Sequence, residues 1–287
     1  MVIGALNASG VDVVLRATTI GAALRATAIG AALCAKAIDV DLAGRPVLRG
    51  VDFAVTSGEF VVVIGPNGAG KSTLARVLAG VLRPDAGRVM LGGDDLAMLS
   101  PLRAAVRCAY LPQGATLAWP LTVERLVGLG RLPHLAPFSR IGTADRAAIE
   151  DAMIRADVLA LRDRVATELS GGERARAFLA RALAVGADVL IADEPLAALD
   201  PGHALAVVDL LRAEAARGVA VVAVMHELTL AARAADRLVL LDGGRVVADG
   251  PPAAVLDAAT LARVYGVTAW HGAADGEPLI VPLRRNR

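Results

Sequence analysis

Residues 60–73 read FVVVIGPNGAGKST, an unbroken apolar run that passes at once into a glycine-rich turn ending in a lysine and two hydroxyls. A short run of this kind, dominated by valine, predicts a strand buried on both faces, as in a parallel sheet covered by helices. Its second half, GPNGAGKST, fits the pattern G-x-x-x-x-G-K-[ST], and the segment from Thr73 to Leu82 carries helical spacing. Strand, glycine turn and helix in that order make a phosphate loop: the glycines let the backbone wrap an oxyanion, and N–H groups at the helix start supply positive charge. Gly65, Pro66, Asn67, Gly68, Ala69, Gly70, Lys71, Ser72 and Thr73 are the candidate nucleotide contacts. Lys71 is placed to neutralise the β- and γ-phosphates of ATP, and the Ser72 hydroxyl to ligate Mg²⁺.

The texture of the opening strand returns at residues 189–192, 219–224 and 238–241, each followed or preceded by an Ala- and Leu-rich helical pattern. Alternation of buried strands with helices predicts an α/β core. Residues 38–55 instead alternate apolar and polar around a turn at 43–46, which predicts an antiparallel hairpin. Between Gly114 and Glu168 the buried-strand texture gives way to amphipathic helical stretches such as residues 145–161, the mark of an inserted helical subdomain.

Residues 189–195, VLIADEP, set two carboxylates at the tip of a buried strand, where α/β sheets gather their ligand sites. Asp193 is placed to hold Mg²⁺, and Glu194, one residue further out, to polarise the water that attacks a γ-phosphate.

Residues 169–173 read LSGGE, which resembles the signature motif of the ATP-binding cassette (ABC) family. Ser170 offers a hydroxyl and Gly171 and Gly172 offer exposed N–H groups ahead of a helix, a second phosphate-binding surface. In the family this surface completes the ATP site of the opposing subunit, so the resemblance implies a head-to-tail dimer of two copies. Further landmarks follow in the family's order. Gln113, after the strand 108–111, resembles the glutamine that senses Mg²⁺ and the attacking water. Residues 198–200, ALD, resemble the loop that crosses the dimer interface at Asp200, and His226 resembles the switch histidine that contacts the γ-phosphate. The resemblance spans about residues 33–267. It implies a phosphate-loop NTPase core of RecA-like form with an antiparallel β subdomain and an inserted α-helical subdomain. The expected division is residues 1–33, 34–113, 114–168 and 169–287, the first being an N-terminal extension. Leu42 stands where many members carry an aromatic against adenine, Ala175 where Gln is common, and Glu227 where Asp is frequent.

Within the family, the element GRLPH at residues 130–134 and the tail with GPPAAVL and VYG resemble the subfamily that powers uptake of iron siderophores, haem or vitamin B12. That resemblance implies an ATPase on the cytoplasmic face of the inner membrane. Its partners would be membrane permease subunits and, indirectly, a periplasmic or surface substrate-binding protein. Alternatives within and beyond transport are an exporter subunit, or a soluble cassette acting on ribosomes or nucleic acid. The charge balance, 30 Lys and Arg against 29 Asp and Glu, offers no electrostatic footprint for nucleic acid. The longest charge-free stretch, residues 108–123, is broken by Pro112, Gln113, Gly114 and Pro120 and is shorter than a spanning helix requires. Cys34 and Cys108 stand apart without metal-ligand neighbours and are expected as free buried thiols, while the lone His134 is expected to be structural. Residues 15–23 and 24–32, LRATTIGAA and LRATAIGAA, form a tandem repeat too short for a repeat fold.

Overall fold

The computed structural model describes residues 31–136 and 138–286, so the tandem repeat lies outside the described residues except for its last two positions. The chain opens with strands β1 (Ala31–Leu42) and β2 (Arg45–Thr56), which pair antiparallel. The turn between them is shorter than the sequence suggests. Ala43 and Gly44 both take positive φ, 51° and 77°, and Pro46 already pairs with Asp41 inside the ladder. Two left-handed residues give the primed turn whose twist matches that of the strands it joins.

Strand β3 (Phe60–Ile64) then leads through the glycine turn into helix α1 (Lys71–Leu78). The helix stops short of Leu82 because Gly80 enters the left-handed region at φ 71°, and the Val81 and Leu82 N–H groups turn back to donate to the Arg76 carbonyl. Strands β4 (Ala86–Leu91) and β5 (Asp94–Asp95) complete a four-stranded antiparallel sheet in the order β2-β1-β4-β5. Helix α2 (Pro101–Arg107) and strand β6 (Cys108–Leu111) precede a helical stretch containing α3 (Val123–Gly128) and α4 (Thr143–Arg155). The expected continuous helix to residue 161 is broken. Asp157 takes φ 52° and the Val158 N–H closes onto the Met153 carbonyl, leaving a single helical turn at Leu159–Leu161.

Helix α5 (Gly171–Leu183), strand β7 (Val189–Asp193), helix α6 (Pro201–Ala216), strand β8 (Ala220–Val224), helix α7 (Leu228–Ala234) and strands β9 (Arg237–Asp242) and β10 (Arg245–Gly250) follow. The six-stranded sheet runs β10-β9-β3-β8-β7-β6, with β9, β3, β8, β7 and β6 parallel and β10 antiparallel at the edge. Its inner strands divide their side chains between two cores. Val61, Val63, Ile191, Val222 and Val239 face the antiparallel sheet and α1. Phe60, Val62, Leu190, Val221 and Leu238 face α5, α6 and the inserted helices. Each such side chain contributes roughly 1.5–3 kcal/mol on burial, so a one-residue slip of β3 would exchange two complete packing surfaces.

The sequence reading placed no structure in the tail, yet β11 (Val267–Ala274) and β12 (Glu277–Arg285) form an antiparallel hairpin. Its turn is Asp275-Gly276, at φ 53° and 81°, the same primed geometry as at Ala43-Gly44. The dipeptide Asp-Gly between alternating residues was the available signal. No helix among the described residues is long and apolar enough to cross a membrane. Cys34 and Cys108 are free and buried as expected, and burial pushes the Cys108 thiol up to about 12.

Candidate functional site

Strands β3, β8, β7 and β6 lie side by side, and each ends in one of the predicted motifs. Motifs met along the chain as phosphate loop, glutamine, carboxylates and histidine therefore become, across the sheet edge, phosphate loop, histidine, carboxylates and glutamine. The register fixes their level: Val63 pairs with Val224, and Val224 with Asp193.

At the phosphate loop, a Cβ at Gly65 would run into the Leu241 carbonyl, and one at Gly70 would press on Leu48 at 2.7 Å. Gly70 holds φ 99° at the head of α1, and the helix has no side-chain cap there. Its first-turn N–H groups are left for an external acceptor, the arrangement that takes a phosphate. Lys71 is only 5% exposed, and its ammonium donates to the carbonyls of Gly65 at 2.8 Å and Pro66 at 3.0 Å. Burial pulls its pKa below the ordinary lysine value, against the opposing pull of Glu194 and Asp193. Asp193, 1% exposed, accepts from the Ser72 hydroxyl at 3.0 Å and from the Tyr110 hydroxyl at 3.4 Å. Burial raises its carboxyl above the usual range, with the neighbouring Glu194 charge adding to the rise and the Ser72 hydrogen bond opposing it.

Glu194 turns out of β7 with φ 52°, a left-handed conformation that costs a side-chain-bearing residue about 1 kcal/mol, and its N–H is tied to the Val224 carbonyl at 3.2 Å. That turn aims the carboxylate between two partners. Gln113 Nε2 donates to Glu194 Oε2 at 2.6 Å, and His226 Nε2 lies 2.7 Å from Glu194 Oε1. Three residues from three strand ends thus meet at one carboxylate.

The remaining predicted residues gather elsewhere. Ser170 caps α5: its hydroxyl accepts from the Glu173 N–H at 3.3 Å, while Glu173 Oε2 accepts from the Ser170 N–H at 2.9 Å. These hydrogen bonds draw the Glu173 carboxyl below its ordinary value. Asp200 caps α6, accepting from the His203 N–H at 3.0 Å and lying 2.5 Å from the His203 ring. A Cβ at Gly172 would strike that ring, so the two helix starts are in contact. A cavity of about 540 Å³ has Gly171, Arg174 and Phe178 on one wall and Asp193 and Glu194 on another; residues 65–73 do not line it.

The GRLPH element is a clamp on the far end of α5. Arg131 donates to the carbonyls of Ala184 at 2.8 Å and Val185 at 3.1 Å and pairs with Asp145 at 3.0 Å. His134 Nε2 lies 2.7 Å from the Val185 carbonyl, which gives this histidine the structural place expected of it. Sequence reasoning missed Tyr110, near the end of β6, whose hydroxyl donates to Asp193, and Tyr265, a half-buried phenol beside the Gly65 backbone N–H. Tyr110 lies in no motif, and only the sheet order brings it to Asp193; Tyr265 lies in the VYG of the tail, which carried only the subfamily likeness.

The family profile described as ABC transporter matches residues 48–197. The chain belongs to the ABC transporter family. It is 49% identical over 244 residues to the hemin import ATP-binding protein HmuV of Nocardia farcinica, covering 84% of this chain and 83% of that one. It is 43% identical over 249 residues to the cobalamin import ATP-binding protein BtuD of Halobacterium salinarum, covering 85% of this chain and 62% of that one. The fold is shared with a chain of an ABC transporter solved in an inward-facing conformation, at a TM-score of 0.77 and 24% identity, over 88% of this chain and 98% of that one. The ABC chain is an ATPase of the α/β class with a phosphate-loop core, an antiparallel β subdomain and an inserted helical part.

Proposed function

We propose that this ABC ATPase powers import of a metal chelate, with haem the leading cargo, through a separate membrane permease. The observation that carries the ATPase part is the Glu194 carboxylate held between Gln113 and His226, at the sheet edge that also bears the phosphate loop. The cargo rests on the HmuV likeness and on the GRLPH element.

In this reading the phosphates of ATP lie on the uncapped start of α1, with Lys71 released from its loop carbonyls to the β- and γ-phosphates. Adenine meets aliphatic surface at the exposed Leu42 rather than an aromatic ring, so affinity resides mainly in the phosphates. The Ser72 hydroxyl and the Asp193 carboxylate, with Gln113, are hard oxygen donors suited to Mg²⁺, which when bound offsets phosphate charge. Glu194 accepts a proton from the attacking water, Gln113 orients that water, and His226 faces the γ-phosphate. Ser170, Gly171 and Asp200 sit exposed at helix starts, as suits residues that complete the site of a second, head-to-tail copy, whereas Gly172, expected to be exposed, is buried against the His203 ring. A cytoplasmic helix of the permease fits a groove of about 840 Å³ near Tyr110, between Met98, Leu99 and Pro133. Tyr110, in the lining of the groove, is three residues upstream of Gln113, so motion at the glutamine reaches the membrane partner. The chain then works at the cytoplasmic face of the membrane, and a substrate-binding protein acts at one remove.

The test is genetic and nutritional. A strain without the gene should lose growth on haem as iron source and regain it with the parent gene but not with Glu194→Gln. Loss of cobalamin use instead would reassign the cargo, and unchanged use of both would overturn import.

A further inference from the structure

Helix α7 begins two residues after His226, with Glu227 at its cap position, so the placement of α7 sets where the histidine stands. Besides β3 and α6, α7 packs on the carboxy-terminal hairpin. The Thr229 hydroxyl, in the helix's first turn, donates to the Ile280 carbonyl at 2.8 Å and accepts from the Ile280 N–H at 3.0 Å. At the other end of the helix, Arg233 pairs with Glu277 at 3.4 Å. Ile280 is buried and packs in one core with Leu228, Ala231 and Ala232. Strand β12 therefore grips both ends of α7 and its inward face.

This grip does not belong to the main sheet: β11 and β12 form a sheet of their own. An isolated two-stranded hairpin is marginal in water, so its definition depends on its seat. The seat includes Thr229 and, midway along β11, His271, whose Nε2 lies 2.7 Å from the Leu256 carbonyl. Neither the phosphate loop nor the carboxylates of β7 take part in these contacts.

We propose that Thr229 is a positioning residue: its double hydrogen bond to Ile280 lets the carboxy-terminal hairpin hold His226 against Glu194. The inference rests on the reading that His226 serves ATP hydrolysis. A hydroxyl that both donates to and accepts from one residue fixes rotation as well as distance. Loosening it lets the start of α7 drift, and a misplacement of about 1 Å is enough to slow chemistry that depends on alignment.

The test compares steady-state ATP hydrolysis by the full chain carrying Thr229→Val, Thr229→Ser or His226→Ala. Thr229→Val should lower kcat about tenfold while KM for ATP stays within about twofold, and Thr229→Ser should restore kcat. Parent-level kcat in Thr229→Val, failure of serine to rescue, or a rise in KM matching the fall in kcat would overturn the proposal. If His226→Ala keeps full activity, the reading of the histidine fails. If only His226→Ala is inactive, the brace alone fails. Should Thr229→Val not fold, Glu277→Arg, which sets like charge beside Arg233, must lower kcat at constant KM; an unchanged kcat rejects the brace.

Discussion

Two helix starts, both taken by the sequence for phosphate-binding surfaces, are finished in opposite ways. Helix α1 opens at Gly70 with no side-chain cap, over a buried lysine and a buried aspartate. Helix α5 opens at Ser170 with its capping box closed by Glu173 and with Ser170 and Gly171 exposed. An uncapped start leaves donors that need an acceptor from outside, whereas a capped one is stable as it stands. The first is a binding site built at the expense of the fold. The second is a surface at ease alone that serves when another molecule is brought to it, which is the logic of a site shared between two copies.

The largest effect should come from the loop side. Glu194→Gln keeps the size of the side chain and its contact distances but removes the base, so turnover should fall by roughly 10²–10⁴-fold while ATP still binds. Phosphate release measured alongside nucleotide binding checks this. Equal turnover in variant and parent would remove Glu194 from the chemistry, and loss of binding would show that it builds the pocket instead.

The comparison itself can be broken by mixing. Lys71→Ala should abolish activity through the loop side and Ser170→Arg through the signature side, each being inactive alone. In a head-to-tail pair, a mixed dimer gathers both defects into one site and leaves the other intact. Mixing the two proteins should therefore restore hydrolysis that neither shows alone. No recovery despite dimer exchange, followed by labelled subunits, would place both helix starts in a single-chain site.

Much of this arrangement was legible in the sequence because it is carried by local pattern. The valine runs gave β3, β7 and β8 within a residue or so, since burial on both faces leaves a continuous apolar signature. The phosphate loop was legible because its glycines are dictated by close backbone approach, as Leu241 and Leu48 show. Less visible were facts that depend on neighbours distant in the chain. Glutamate at positive φ has no composition signal, so the turn that sends Glu194 between Gln113 and His226 appears only in three dimensions. Tyr110 reaches Asp193 only because β6 lies beside β7. The S-x-x-E spacing at Ser170 was readable as a capping box but lay under the stronger family pattern, while Asp275-Gly276 was readable as a hairpin turn beyond the end of that pattern.

The smallest effect is the one that sharpens the contrast most. The two carboxylates at these sites titrate in opposite senses: burial lifts Asp193, while hydrogen bonds from Ser170 depress Glu173. A carboxyl raised in the folded state favours folding while protonated. Its burden grows as pH rises from the ordinary carboxylate range through the raised value, and it is present in full above that value. Asp193→Asn removes the charge but keeps an oxygen for the Ser72 hydroxyl. It should therefore raise the melting temperature at pH 7 by about 2 °C, and the gain should vanish below the ordinary carboxylate range, where Asp193 is protonated in both states. Glu173 runs the other way: its contribution is present above the ordinary range and lost as pH falls through the depressed value, so Glu173→Gln should lower the melting temperature at pH 7. Calorimetry of both variants across pH checks the pair. If Asp193→Asn destabilises at pH 7, the aspartate's hydrogen bonds to Ser72 and Tyr110 outweigh the cost of its burial, and the loop side is not built against the fold.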